Sequence, residues 1–435
     1  MRRVCVINVA GLSRTLLDRA GGLWMDSLAS PPRPIAATFP AVAASVQASM
    51  TTGVQPGAHG VVAGGIFRRQ HRAFSLDERS NTLLNKKRFW HSRHLPRRPK
   101  VAMLFWSNPL AGAADAVIGA STYGPLPQLV ADQPRGLYQR LADQIGPFDP
   151  RLVRGPGASW RAGEWIASAA AAIWRQLKPD LQWVYLPGAN FEATRHGPQS
   201  AELLEAVSKI DGLARGLSEA VAASGGETLV VSDGGYVAVR RTALPNAALR
   251  EAGLLKVRPG HAGEELDLVS SRAFALVDHQ VAHVYCDDEA AAHEAADVLA
   301  GLEGVATVCP REELFCPGLG HDRAGEMIAL AEPDAWLAYP WWEPDQPAPA
   351  LAYQADAVGK CGYDPCELFA GREGGKIDPD LGNVRASRGL VSTPVADQCV
   401  LGATCKLPGE IGPAVTDVPE VLRRILFGDV AGGKP

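Results

Sequence analysis

The sequence lacks a long apolar run and a clear excess of charge of either sign. None of its apolar stretches approaches the roughly 20 residues that a membrane-spanning helix needs, so the sequence predicts no such helix. The 43 Lys and Arg residues nearly balance the 47 Asp and Glu residues, and the formal net charge is -4. This balance gives no electrostatic reason to expect nucleic acid or an anionic membrane as a partner. The basic stretch 86–100 fits either an anion-facing patch or a solvated loop.

Cysteine is also scarce for a chain of this length. The eight cysteines are too few for a disulfide framework in 435 residues. The apolar stretch at the start of the sequence is too short for a secretion signal and lacks a small-residue cleavage site, so we expect a cytoplasmic protein. Cys361 and Cys366, and likewise Cys399 and Cys405, are spaced more widely than the partners of most structural zinc sites. The role of these four thiols stays open.

The composition is that of a globular protein. Hydrophobic residues make up 46% of the chain and charged residues 21%, which excludes a disordered chain, a coiled coil and a collagen-like fibre. The length allows two or three domains, or one large α/β domain with a cap.

Buried strands alternate with helices in the first part of the chain. The predicted strands are 3–9, 182–186 and 227–232, and the predicted helices are 162–177 and 201–223. Continuously apolar strands between helices are typical of a parallel sheet that is covered on both faces. In such sheets the chemistry lies just beyond the carboxyl ends of the strands. Asn8, Asn190 and Asp233 are therefore candidate functional residues.

The pattern changes after about residue 260. Residues 274–286 (FALVDHQVAHVYC) predict one strand, and a helix follows at 289–302. From residue 339 onward Pro, Gly and Trp dominate and regular elements are hard to assign. The predicted organisation is an α/β core over 1–260, a smaller α/β insert over 261–340, and a return to the core with a C-terminal tail over 341–435.

The segment 39–60, FPAVAASVQASMTTGVQPGAHG, carries a family resemblance. Its Phe-Pro pair, Thr-Gly turn and His-Gly pair resemble the nucleophile segment of the type I phosphodiesterase/nucleotide pyrophosphatase family, within the alkaline phosphatase superfamily. Other stretches are similar to a bacterial branch of that family, among them INVAGL (7–12), YLPGANFEATRHGP (185–198), VDHQVAHVY (277–285), GHDRAGE (320–326) and GYDPCELF (362–369). The resemblance implies a doubly wound, mostly parallel α/β sandwich with a smaller insert. It also implies phosphoester or phosphoanhydride chemistry on a small organic phosphate or nucleotide.

The residues that the family uses for this chemistry are mostly replaced. In the family, two zinc ions held by Asp and His side chains activate a Thr or Ser nucleophile at a helix N-terminus. The nucleophile position falls on Ala43, and the ligand positions fall on Asn8, Asn190, Thr194, Asp233, Gly234 and Arg388. Only Asp233 is a ligand of the expected kind, because an Asn oxygen is neutral and a guanidinium repels a metal. The resemblance therefore argues against a standard two-zinc site and leaves another divalent metal open.

Three histidines offer a different chemistry. On a single strand, His279 and His283 point to the same face, next to Asp278. His321 completes a cluster if the insert folds over the strand ends. Such a cluster can bind a metal or transfer protons. The alternative is that all three are hydrogen-bonded structural histidines that join the insert to the core.

These observations support three hypotheses. The first is a phosphodiesterase-like protein with an altered site that performs a non-standard transformation in specialised biosynthesis, with the catalytic residues Asp233, His279, His283 and His321. The second is a non-catalytic protein that binds an anionic ligand or partner. The third is a metal-dependent phosphodiesterase whose nucleophilic threonine was engineered to alanine.

The expected ligand is a small anionic or phosphorylated molecule, and the expected binding residues are Asn8, Ala43, Asn190, Thr194 and Arg388. Cofactor and oligomeric state stay open.

Overall fold

The structure, a computed structural model, describes residues 1–76, 78–121, 129–260, 263–313, 319–343, 345–355, 359–373, 375–409 and 412–428. Its strands are β1 (Val4–Val9), β2 (Ser30–Ile35), β3 (Ile66–Arg68), β4 (Ala73–Ser75), β5 (Val101–Leu104), β6 (Ala116–Ser121), β7 (Leu129–Gln133), β8 (Leu181–Leu186), β9 (Glu227–Val231), β10 (Val237–Ala238), β11 (Arg241–Ala243), β12 (Val257–Gly260), β13 (Gly263–Leu266), β14 (Ala273–Asp278), β15 (Val281–Cys286), β16 (Val305–Pro310), β17 (Met327–Ala331), β18 (Ala335–Leu337), β19 (Ala386–Ser387) and β20 (Cys399–Ala403). Its α-helices are α1 (Arg14–Ala20), α2 (Ala43–Thr52), α3 (Pro56–His59), α4 (Leu137–Ile145), α5 (Ala162–Gln176), α6 (Ala189–His196), α7 (Ala201–Ala222), α8 (Pro245–Glu251), α9 (Glu289–Ala300) and α10 (Val418–Phe427).

An eight-stranded sheet forms the centre of the molecule, in the order β2-β20-β9-β1-β8-β5-β6-β7. The five inner strands from β9 to β6 run parallel. The outer strands β7, β20 and β2 are antiparallel to their neighbours. The predicted fold class, a mostly parallel α/β sheet, is confirmed.

Strand β1 illustrates why the inner strands are continuously apolar. Cys5, Ile7 and Val9 face the core that includes α5 and α7, whereas Val4 and Val6 face the core that includes α2 and α10. Successive strand residues point to opposite faces, so a strand covered by helices on both sides needs apolar residues at every position. Each fully buried aliphatic side chain stabilises the fold by about 1.5–3 kcal/mol.

A second, four-stranded antiparallel sheet has the order β14-β15-β17-β16 and packs against α9. It lies within the segment 261–340, and the boundaries of that segment as a separate unit stay a prediction.

The prediction of one strand over 274–286 is wrong. Residues 273–286 form a hairpin, in which β14 ends at Asp278 and β15 begins at Val281. His279 occupies the turn with a left-handed φ of 64°, and no Gly, Pro or Asn in the sequence indicates that turn.

The tip of this hairpin reaches the large sheet. The Gln280 N–H donates to the Arg388 carbonyl at 2.9 Å, and the Ala41 N–H donates to the Gly389 carbonyl at 2.9 Å. The short strand β19, next to Arg388, pairs with β10. The hairpin tip, the start of α2 and the segment after β19 are thus bonded together where the inner strands end. Within the described ranges, no helix combines the length and apolar character needed to cross a membrane.

Candidate functional site

A pocket of about 370 Å³ opens beyond the carboxyl ends of β5 and β8. Its walls come from the start of α2, the start of α6, the tip of the β14–β15 hairpin and the segments around residues 363 and 388. Its size is within the range of small-molecule sites. Of the residues expected at the site, those that line it are Ala43, Asn190, His279 and Arg388.

Beside the pocket, Asp233 is the centre of a buried polar network. Its Oδ1 accepts a hydrogen bond from Arg388 Nη1 at 3.1 Å, and its Oδ2 accepts from the amides of Asn8 at 3.3 Å and Gln47 at 3.2 Å. The Gln47 carbonyl oxygen in turn accepts from the Ser107 hydroxyl at 2.8 Å. Asp233 and Asn8 are fully buried. The network therefore compensates a buried carboxylate with one guanidinium and two amides.

Arg388 presents the positive charge of this network to the pocket. It is only 6% exposed, and its guanidinium lies 5.1 Å from the centre of the Tyr236 ring. Burial lowers the pKa of the guanidinium, but Tyr236 and Asp233 raise it by more, so its pKa lies above the ordinary value. Its Nε is buried and has no hydrogen-bond partner among the described residues. Arg388 is thus a permanent cation in the lining of the pocket.

Ala43 is the first residue of helix α2 and lines the pocket. The N-cap residue, Val42, makes no side-chain cap bond, so the first N–H groups of the helix are left for other acceptors. The helix dipole adds partial positive charge at this end. Ala43, which the sequence resemblance places at the family's nucleophile position, offers backbone donors and no reactive side-chain atom.

Asn190 and Thr194 lie one turn apart on α6. The Asn190 side-chain oxygen accepts from the Gly188 N–H at 2.9 Å, and the side chain lines the pocket. The Thr194 hydroxyl donates to the Asn190 carbonyl at 2.9 Å and is buried. Asn190 can therefore meet a ligand, whereas Thr194 supports the helix that holds Asn190.

His279 and its neighbour Asp278 form the hairpin wall of the pocket. The His279 ring stacks on Tyr363 with a centroid distance of 4.3 Å. Burial and the charge of Arg388 hold the pKa of His279 well below its ordinary value, so its imidazole is neutral. Burial raises the pKa of Asp278 to about 6, although the Gly64 N–H and Arg388 oppose the shift.

The other two histidines bond to different parts of the structure. His283 is fully buried, and its ring bonds to the Val62 carbonyl at 3.2 Å and to the Gly325 N–H at 3.3 Å. His321 bonds to the Asn85 side chain at 2.8 Å. Neither lines the pocket. The prediction that His279 and His283 lie on one face of a single strand is wrong, because the chain turns between them.

The donor set does not fit two divalent cations. The carboxylate oxygens of Asp233 are already bonded to a guanidinium and two amide N–H groups, and a guanidinium at the site repels a metal. In the part of the chain that the structure describes, no three His, Cys, Asp or Glu side chains are grouped as metal ligands.

The thiols of Cys361, Cys366 and Cys399 are buried, which raises their pKa and keeps them protonated.

Comparison with protein families adds the decisive observation. The family model described as type I phosphodiesterase / nucleotide pyrophosphatase matches residues 4–364. The chain belongs to this family. A comparison with curated protein sequences gives no significant match.

Solved structures of similar fold cover nearly the whole phosphodiesterase-family chain. Phosphonoacetate hydrolase from Sinorhizobium meliloti 1021, in complex with phosphonoformate, shares 14% identity and superposes with a TM-score of 0.63, covering 98% of this chain and 96% of that one. Murine ectonucleotide pyrophosphatase/phosphodiesterase 5 shares 14% identity with a TM-score of 0.59, over 98% and 95% of the two chains. An inactive variant of the murine protein, in complex with AMP, has a TM-score of 0.57 at the same identity. At this identity the likeness establishes the fold.

Some residues of the site escaped the sequence argument. Gln47 follows Ala43 by four positions, so helical periodicity places both on one face of α2, and that signal was in the sequence. Tyr236 and Tyr363 line the pocket from loops, and nothing local in the sequence indicates their role. Glu367 lies in the pocket wall within the GYDPCELF stretch, and Arg154 pairs with it at 2.9 Å.

Proposed function

We propose that this protein binds a small organic anion without a metal and does not hydrolyse phosphoesters by the mechanism of its family. The observation that carries the proposal is Arg388, a buried guanidinium that Asp233 fixes in the lining of the pocket. A guanidinium binds phosphate, phosphonate or carboxylate through a planar pair of donors. It supplies a positive charge at the place where the family uses metal ions.

Two further features support anion binding. The start of α2, a helix of ten residues, adjoins the same pocket and offers backbone N–H groups. The solved structures of similar fold were obtained with phosphonoformate, phosphonoacetate and AMP, all of which are small anions. The lack of a hydroxyl or thiol at Ala43 removes the nucleophile that family-type hydrolysis needs. We expect the binding to take place in the cytoplasm.

The test is calorimetric titration of the protein with phosphonoacetate, AMP and inorganic phosphate, in excess EDTA. We expect at least one of these to bind with EDTA present, and elemental analysis of the untreated protein to find far less than one metal per chain. The variant Asp233→Asn/Arg388→Met removes the cation together with its buried counter-charge, and it should lose the binding. Arg241→Met is the matched control, because Arg241 pairs with Glu332 and Asp334 away from the pocket. Binding that needs a divalent metal, or that survives in the double variant, contradicts the proposal.

The second candidate function is turnover of the bound anion by proton transfer. One observation favours it: His279 and Asp278 are neighbours in the pocket wall. The imidazole of His279 is neutral, and the pKa of the Asp278 carboxyl group is raised to about 6. Groups with such pKa values serve as acids or bases near neutral pH. Of the catalytic residues expected from the sequence, this candidate retains His279. Asp233 acts through Arg388 as a positioning residue, and His283 and His321 are structural.

Incubation with each ligand that binds, followed by ³¹P and proton NMR, separates the two candidates. Unchanged ligand after prolonged incubation supports binding alone. New resonances that disappear in His279→Asn, while calorimetry shows that the ligand still binds, support turnover. Asn is the chosen replacement because it tolerates the left-handed φ of 64° at this position.

A further inference from the structure

Two carboxylates of the pocket lining, Asp364 and Glu367, are paired with cations. Lys360, a fully buried cation, donates to Asp364 at 2.5 Å and to Glu367 at 3.2 Å. Arg154 also donates to both oxygens of Glu367, at 2.9 and 3.1 Å. Asp278 differs from these carboxyl groups, because no cation of the described residues lies within ion-pair distance of it.

Asp278 is nevertheless held firmly and aimed at the pocket. It is the last residue of β14 and is 5% exposed. Its Oδ2 accepts a hydrogen bond from the Gly64 N–H at 2.6 Å. A Cβ added at Gly64 would lie 3.2 Å from that oxygen, so the glycine permits this close approach. Oδ1 has no hydrogen-bond donor among the residues that the structure describes.

A buried carboxylate without a cation is costly. Among the described residues, Arg388 attracts this carboxylate, Tyr236 is close enough to interact with it, and its neighbour His279 is neutral. Arg388 already forms its ion pair with Asp233. A ligand carrying only negative charge would bring a like charge close to Asp278, whereas a ligand with a cationic N–H group would compensate it.

The pocket thus combines an anion anchor, Arg388, with an unpaired carboxylate, Asp278, and its lining also includes the apolar residues Val42, Phe105 and Phe191. We infer that the ligand of this site is a zwitterion, in which a phosphonate, phosphate or carboxylate group and an ammonium group are joined by a short organic linker. The inference rests on the proposed function, since Arg388 binds the anionic end. Asp278 accepts the hydrogen bond of the ammonium end and selects against simple anions.

Matched phosphonates test the inference, because their P–C bond cannot be cleaved as a phosphoester. The probes are ω-aminoalkylphosphonates with two and three methylenes, each compared by calorimetry at pH 7.5 with the alkylphosphonate of the same length. One added charge-assisted hydrogen bond to a buried carboxylate is expected to tighten binding about 10-fold or more. In Asp278→Asn the advantage of the amine should fall below about 2-fold, while the alkylphosphonates bind more tightly because the like charge is gone. Asp143→Asn is the control, since Asp143 lies on the exposed surface of α4.

The outcomes distinguish the two proposals. If alkylphosphonates bind and the amine adds nothing, the zwitterion inference fails and anion binding stands. If no phosphonate binds, with or without the amine, the zwitterion inference fails, and the titrations with AMP and inorganic phosphate decide whether anion binding fails too. An amine advantage that persists in Asp278→Asn overturns the assignment of Asp278. Alkylphosphonate binding that requires added Mg²⁺ or Zn²⁺, and loses this requirement in Asp278→Asn, would mean that Asp278 holds a metal and not an ammonium group.

Discussion

The ion pair between Arg388 and Asp233 gives the sharpest test of the network beside the pocket. The perturbation is Arg388→Met, which removes the cation and keeps an unbranched side chain. Asp233 is fully buried and Arg388 is 6% exposed. After the substitution, Asp233 keeps the amides of Asn8 and Gln47 as its only side-chain donors among the described residues. Removing one partner of a buried ion pair costs about 3–5 kcal/mol, and the two remaining amide bonds favour the lower end of that range.

A second variant separates the loss of charge balance from the loss of packing. In Asp233→Asn/Arg388→Met neither charge is present, and an asparagine still bonds to the two amides. Replacing both partners of a buried pair is often nearly neutral. We therefore expect the double variant to be more stable than Arg388→Met alone, and to lie within about 1–2 kcal/mol of the unmodified protein.

The assay is urea unfolding at pH 7.5, followed by the fluorescence of buried tryptophans such as Trp106 and Trp183. Arg241→Met serves as the control, because its ion pairs are more than a third exposed and exposed ion pairs contribute little to stability. The reasoning is refuted if Arg388→Met costs no more than the control. It is equally refuted if the double variant is less stable than Arg388→Met, because the two charges would then not compensate each other.

Three further predictions concern the pocket and its histidines. Burial raises the pKa of Asp278 from 3.8 to about 6, so its charge destabilises the fold above pH 6 by up to about 3 kcal/mol. Asp278→Asn should therefore raise the free energy of unfolding at pH 7.5, and the gain should shrink as the pH falls towards 4; an equal gain at both values contradicts this. Ala43→Thr should not hydrolyse a chromogenic phosphodiester, with or without zinc, because the ligand positions are still replaced; metal-dependent turnover would revive the engineered-threonine hypothesis. His283→Ala should cost about 2–4 kcal/mol through a cavity and two lost buried bonds, whereas His279→Asn should cost less than about 1 kcal/mol, both measured by urea unfolding.

Local sequence was sufficient for three strands of the large sheet and for part of the site. The strands β1, β8 and β9 are apolar at every position because both faces are covered, and that property is visible without knowledge of any contact. Parallel strands place their carboxyl ends at one edge, so Asn8, Asn190 and Asp233 could be assigned to the same region from their positions alone. The structure puts Asn8 in direct contact with Asp233, and Asn190 in the wall of the adjoining pocket.

Only the tertiary structure decided what those residues do together. The turn at His279 is made by a residue that rarely adopts a left-handed φ, so its apolar flanks predicted one strand, and the face on which each histidine lies was assigned wrongly. Arg388 is distant in sequence from Asp233, and that carboxylate fixes its guanidinium in the lining of the pocket. The sequence by itself determined the residue types at the positions that resemble the family's site. Long-range packing determined which of these residues meet, because hydrogen bonds between distant segments depend on how the chain is folded and leave no local pattern.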